Sequence, residues 1–174
     1  MPRAPLFFAL YSSGASDVYK RHDILSLDKD AESLIQSSKI QFLAYKTIAA
    51  LRADNEALAS ETVELALSLS TADGYTLLAN AYLQFAKKDT ARAAALLVRI
   101  LTATPDNADA LMLQGQVALV EKDYSQAVTS FKKYFELQPN SNKVQLFIAD
   151  ALLKNGQYPE AETIADNLLA KVPN

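Results

Sequence analysis

Three prolines recur at a fixed interval: Pro105, Pro139 and Pro173 lie 34 residues apart. A fixed period limits the architecture more than local propensity does, because every repeat must be the same supersecondary unit. Ala93, Ala127 and Ala161 keep the same spacing ahead of the prolines, and Ala81, Gly115 and Ala149 march in step with them. The units are therefore 74–107, 108–141 and 142–174, the last one residue short. Proline lacks an N–H and clashes with the preceding turn, so each proline ends a helix at the same place in its unit. A small residue at two fixed positions lets the two helices of a unit approach closely. Each unit thus reads as a helix hairpin that cannot bury its apolar face alone, and stacking neighbours makes one continuous core. Only 4 Gly and 6 Pro in 174 residues suit helices and not a turn-rich sheet protein.

Counted within a unit, a large residue falls at position 4, a small one at 8, Ala at 20, an aromatic or aliphatic residue at 24 and Pro at 32. In 108–141 these are Leu111, Gly115, Ala127, Phe131 and Pro139, with Tyr124 at position 17. This pattern resembles the tetratricopeptide repeat. The unit 74–107 supplies Leu77, Ala81, Ala93, Leu97 and Pro105, and 142–174 supplies Gln145, Ala149, Ala161, Ala165 and Pro173, with Gly156 and Tyr158 in its turn. One period upstream, Ile40–Asp73 keeps Leu43 and Ala59 but departs at Thr47, Val63 and Thr71, and counts as a degenerate first repeat. The resemblance implies an all-α, right-handed superhelical solenoid of antiparallel helix hairpins, with three clear repeats after the degenerate one. Asp73, Asn107 and Ser141 stand where the next helix needs an N-cap, and Pro159 suits a first helical turn. We divide the chain into an N-terminal arm, 1–27, partly irregular, and a solenoid, 28–174. Asp28–Arg52 is either one long helix or two broken near Ser37–Ser38, and Met1–Asp23 shows no strong periodicity.

The remaining chemistry is sparse. A net charge of -3 with dispersed basic residues gives no stripe that would neutralise phosphates, so nucleic acid is not an expected partner. There is no Cys, and the single histidine, His22, lies beside Lys20 and Arg21 with no second ligand or nucleophile near it in sequence. The four glycines form no phosphate-cradling loop. Asp106 and Asp109 flank a helix start, where capping and the helix dipole explain them, and Asp28 and Asp30 read the same way. No enzyme, cofactor or metal role is expected. Apolar runs such as Leu6–Tyr11 and Ala93–Val98 are far shorter than the roughly 20 residues that span a bilayer. Arg3, Leu6–Leu10 and Ser12–Ser16 imitate an export signal in miniature but are too short for one, which leaves cytoplasm and periplasm both open.

The resemblance also implies a function, a protein-interaction scaffold, and a place for it. In that family, positions 2, 5, 6, 9, 12 and 13 of each first helix face a groove. The candidates here are Tyr45, Tyr75, Leu78, Tyr82, Phe85, Met112, Gln116, Phe147 and Asp150, giving a groove suited to an apolar or amphipathic protein segment. The alternative for leucines at these positions, Leu78, Leu119 and Leu153, is that they pack inside the solenoid. Some family members grip a terminal carboxylate with basic and amide residues, but Ala44, Ile48, Asp109 and Leu113 stand at the corresponding places. Two apolar segments raise a second possibility, a structural or self-associating segment of a longer repeat array in which further repeats or a second copy cover them; a regulatory domain of a larger protein is a separate alternative. The two segments are the arm residues Leu6, Phe7, Phe8, Leu10 and Tyr11, and a C-terminal edge formed by Ile164, Leu168 and Leu169.

Overall fold

The computed structural model describes residues 17–170, with side chains from residue 31. Expectations for the apolar arm within 1–16, for the His22 side chain and for Pro173 lie outside the described residues. Eight helices follow in order: α1 Asp17–Arg52, α2 Glu56–Leu69, α3 Gly74–Ala86, α4 Thr90–Ala103, α5 Ala108–Glu121, α6 Tyr124–Leu137, α7 Asn142–Lys154 and α8 Tyr158–Leu169. No strand occurs among the described residues.

The chain divides into two compact units, Met1–Lys39 and Ile40–Asn174. In the first, the helix begins at Asp17, upstream of Asp28 and inside the segment without sequence periodicity, and residues 31–39 are solvent-exposed. It passes Ser37–Ser38 without a break, since no Gly or Pro lies between Asp17 and Arg52 to interrupt it.

The second unit holds the four hairpins. Their first helices are the 40–52 part of α1, then α3, α5 and α7, and their second helices are α2, α4, α6 and α8. The expected caps are formed: Asp73 accepts from the Tyr75 and Thr76 amides, Asn107 from Ala110 and Ser141 from Val144. Pro159 occupies the first turn of α8. Asp106 does not cap; it pairs with Lys133 at 3.1 Å and leaves the cap to Asn107. The second helices have a cap series of their own at position 16, where Asn55, Asp89 and Asp123 accept from the amides of Leu58, Arg92 and Gln126. The residue before each of these is left-handed: Asp54, Lys88, Lys122 and, in the last hairpin, Gly156 have φ of 56°, 63°, 63° and 78°.

Small residues close the hairpins as the spacing requires. Ala59, Ala81, Ala93 and Ala127 are fully buried. Gly115 is buried too, and a Cβ placed there would run into the Phe131 ring, lying 2.6 Å from its Cδ1 and Cζ. The degenerate first hairpin meets the same need differently. Thr47 and Thr62, both fully buried, hydrogen-bond through their hydroxyls at 2.8 Å across the two helices, and the hydroxyl that accepts in this bond donates its own proton to a carbonyl of its helix. A β-branched polar residue therefore stands where Ala or Gly stands elsewhere, with its hydroxyl satisfied.

The core is three clusters, one at each junction between hairpins. At the middle junction Leu78, Leu97 and Ile100 of one hairpin meet Ala110, Leu113 and Val117 of the next. Each residue is at most 4 % exposed, so each junction removes a continuous apolar surface from water.

Candidate functional site

Because helices repeat every 34 residues, the same face of each first helix is presented side by side, and four of them line one groove. Ile48, Leu51 and Arg52 come from α1, Tyr82, Phe85 and Ala86 from α3, Asp109, Met112 and Gln116 from α5, and Lys143 and Phe147 from α7. They enclose a cavity of about 430 Å³. A second hollow of about 420 Å³ continues it past Tyr82 and Arg52 to Ala49 and Tyr45.

The floor is apolar and firmly held. Met112 and Phe147 pack against the last core cluster, and Phe147 stacks on the fully buried Phe131 at a ring separation of 5.4 Å and an 18° tilt. Lys143 carries its ammonium over the outer face of Phe147, 5.8 Å from the ring centre. Tyr82 is the polar centre of the groove. Burial, and then the nearby Asp109 carboxylate, push its phenol up to about 12 against the opposing pull of Arg52. Arg52, Asp109 and Lys143 have no ion-pair partner among the described residues, whereas Lys87, Arg92, Lys132, Lys133 and Lys154 are all paired. The groove therefore offers two cations and one carboxylate with free hydrogen-bonding capacity, set around an apolar floor.

Of the nine groove candidates, Tyr82, Phe85, Met112, Gln116 and Phe147 come together on the main cavity and Tyr45 on its continuation. Leu78 does not reach the groove. It is 2 % exposed, because it is packed in the core cluster with Ala110, Leu113 and Val117 of α5. Tyr75 is half-buried against Tyr45 and accepts a hydrogen bond from the Gln41 amide, so its hydroxyl joins two hairpins and does not line the cavity. Asp150 accepts from Lys154 at 2.7 Å and stands outside the lining. In the proposed C-terminal edge, Ile164 packs on the core cluster and Leu168 is half-buried, while Leu169 is 69 % exposed. Tyr134 and Ser141 line the groove and were not among the groove positions. They stand on α6 and in the loop after it, outside the first helices to which the family pattern assigns the groove; the large residues at position 27 in Ile100 and Tyr134 were the available signal.

Among the described residues no group of His, Asp and Glu could hold a metal ion, and no helix is long and apolar enough to cross a membrane.

Sequence comparison with curated proteins gives no match. Solved structures share the fold. The crystal structure of MamA is similar with a TM-score of 0.63 and 18% identity, over 76% of this chain and 77% of that one. The APC/C hetero-tetramer Cut9-Hcn1 has a TM-score of 0.66 at 21% identity, over 76% of this chain and 27% of that one. A Thermobaculum terrenum O-GlcNAc transferase mutant has a TM-score of 0.60 at 20% identity, over 67% of this chain and 22% of that one. Two sequence models described as tetratricopeptide repeat match residues 76–142 and 118–174, together more than half of the chain. With hairpins and small-residue positions repeating every 34 residues along the same stretch, the chain belongs to the tetratricopeptide repeat family.

Proposed function

We propose that this protein-interaction repeat domain holds an apolar or amphipathic segment of another protein in the groove between Tyr45 and Phe147. One observation supports the reading: all four first helices contribute to a single hollow with Met112 and Phe147 on its floor and with rim charges that have no ion-pair partner among the described residues. A large apolar side chain seated there would contribute roughly 1.5–3 kcal/mol, about ten- to hundredfold in affinity. A carboxylate beside it would meet Arg52 or Lys143, and a donor would meet Asp109.

The test blocks the groove without touching the core. Ala86 is exposed and Gln116 half-buried, and both line the cavity, so Ala86→Arg with Gln116→Arg fills it from the solvent side. A partner captured on the wild-type chain and identified by mass spectrometry should bind the double variant at least about tenfold more weakly, with an unchanged melting temperature. Undiminished binding would place the contact elsewhere.

A further inference from the structure

Inside the second unit, every junction uses the same positions. The first helix of the incoming hairpin offers positions 3, 6 and 10, and the preceding hairpin receives them with positions 5, 12, 24, 27 and 28. At position 3, Thr76, Ala110 and Val144 are each 0 % exposed, and at position 24 Val63, Leu97 and Phe131 are at most 3 % exposed. The two outer hairpins carry the same surfaces uncovered. Phe42, at position 3 of the first hairpin, is 66 % exposed, with Tyr45 at position 6 half exposed and Ala49 at position 10 exposed. Leu146 and Leu153, at positions 5 and 12 of the last hairpin, are 60 % and 51 % exposed, although Leu78 at the equivalent position is 2 % exposed.

The sizes at the two free faces are reciprocal. Within the chain a small or medium residue at position 3 shares a core cluster with a large one at position 24, Ala110 with Leu97 and Val144 with Phe131, and the first junction keeps Thr76 and Val63 at these two positions, both buried. At the free faces the order is inverted, with the large Phe42 at position 3 and the small, exposed Ala165 at position 24. We infer that the occupant of the Leu146–Leu153–Ala165 face is the Phe42–Tyr45 face of a second copy of this chain, seated head to tail as one more junction of the same kind. The inference rests on continuity with the three junctions already formed and on the pairing of an exposed large residue, Phe42, with an exposed small one, Ala165, at the two positions that share a core cluster in the last two of those junctions. The contact shares only Tyr45 and Ala49 with the groove's continuation, and the main cavity is lined by neither of them. Because the two faces are different surfaces, the contact is heterologous and does not close at a dimer.

The test uses the full chain in analytical ultracentrifugation. Wild type should sediment as a concentration-dependent series that passes beyond dimer. Phe42→Glu alone, and Leu146→Glu with Leu153→Glu, should each remain monomeric with unchanged circular-dichroism melts, since all three side chains are exposed. An equimolar mixture of the two variants retains one intact pair of faces and should stop at a dimer. Ala165→Phe should weaken wild-type assembly by at least about tenfold, and Phe42→Ala in the partner copy should restore it. The inference is overturned if the wild type stays monomeric at every concentration, if either charged variant dimerises by itself, or if their mixture stays monomeric. Assembly that ignores the Ala165–Phe42 size exchange overturns the proposed seating in the same way.

Discussion

Gly115→Ala sets two effects of known sign against each other. Gly115 lies inside α5, where alanine is the better helix former by about 0.8–1.0 kcal/mol, so propensity alone forecasts stabilisation. The structure forecasts the reverse. The new Cβ would overlap three atoms of the Phe131 ring, and that ring is fully buried and stacked on Phe147. Overpacking of this kind costs about 1–3 kcal/mol. Moving the ring aside also weakens an aromatic pair that contributes about 0.5–1.5 kcal/mol. The sum, less the propensity gain, is a loss of roughly 1–3 kcal/mol, a fall of about 3–10 °C in melting temperature for a chain of this size. Thermal melts of three variants decide it. Gly115→Ala should melt lower, and Gly115→Ala with Phe131→Leu should recover part of the loss. Gly74→Ala, where nothing lies within 4 Å of the added carbon, should be neutral or slightly stabilising. If Gly115→Ala melts at or above wild type, steric closure at position 8 does not govern this hairpin.

Three further outcomes follow from the same structure. Lys88→Gly and Lys122→Gly, at left-handed positions with φ of 63°, should each raise stability by about 0.5–1 kcal/mol in denaturant titrations, because glycine adopts that conformation without the Cβ penalty. Thr47→Val and Thr62→Val should each cost about 1 kcal/mol, and the double variant less than the sum of the two, because the surviving hydroxyl of each single variant faces a methyl and keeps only its own helix's carbonyl, while the double variant buries two apolar groups against each other. Tyr82 should ionise near pH 12 against the ordinary 10.0, which ultraviolet difference titration of wild type against Tyr82→Phe can follow. Its raised value means the unfolded chain releases that proton first, so its contribution is intact below pH 10 and is lost as pH rises toward 12. Tyr82→Phe should flatten that part of the stability curve.

What the sequence disclosed depended on whether a residue's role is fixed within one hairpin or by its neighbours. Pro105, Ala93, Gly115 and Asn107 act through their own backbone or through the other helix of the same hairpin, so a 34-residue period was enough to place them. The left-handed residues at position 15 escaped notice because three of the four are Asp or Lys, which carry no signal of positive φ. Leu78 and Leu146 show the other limit. They are the same residue type at the same position, yet one is 2 % exposed and the other 60 %, because a further hairpin covers only the first. Burial at positions 3, 5, 12 and 24 is a property of the junction and not of the side chain, and no local pattern can report it. The same reasoning separates the two functional surfaces. The groove residues Tyr82, Gln116 and Lys143 stand on a face that stacking leaves open in every hairpin, so their exposure is built into the repeat. Phe42 and Leu146 stand on faces that stacking covers everywhere else in the chain, and their exposure is what calls for a covering partner.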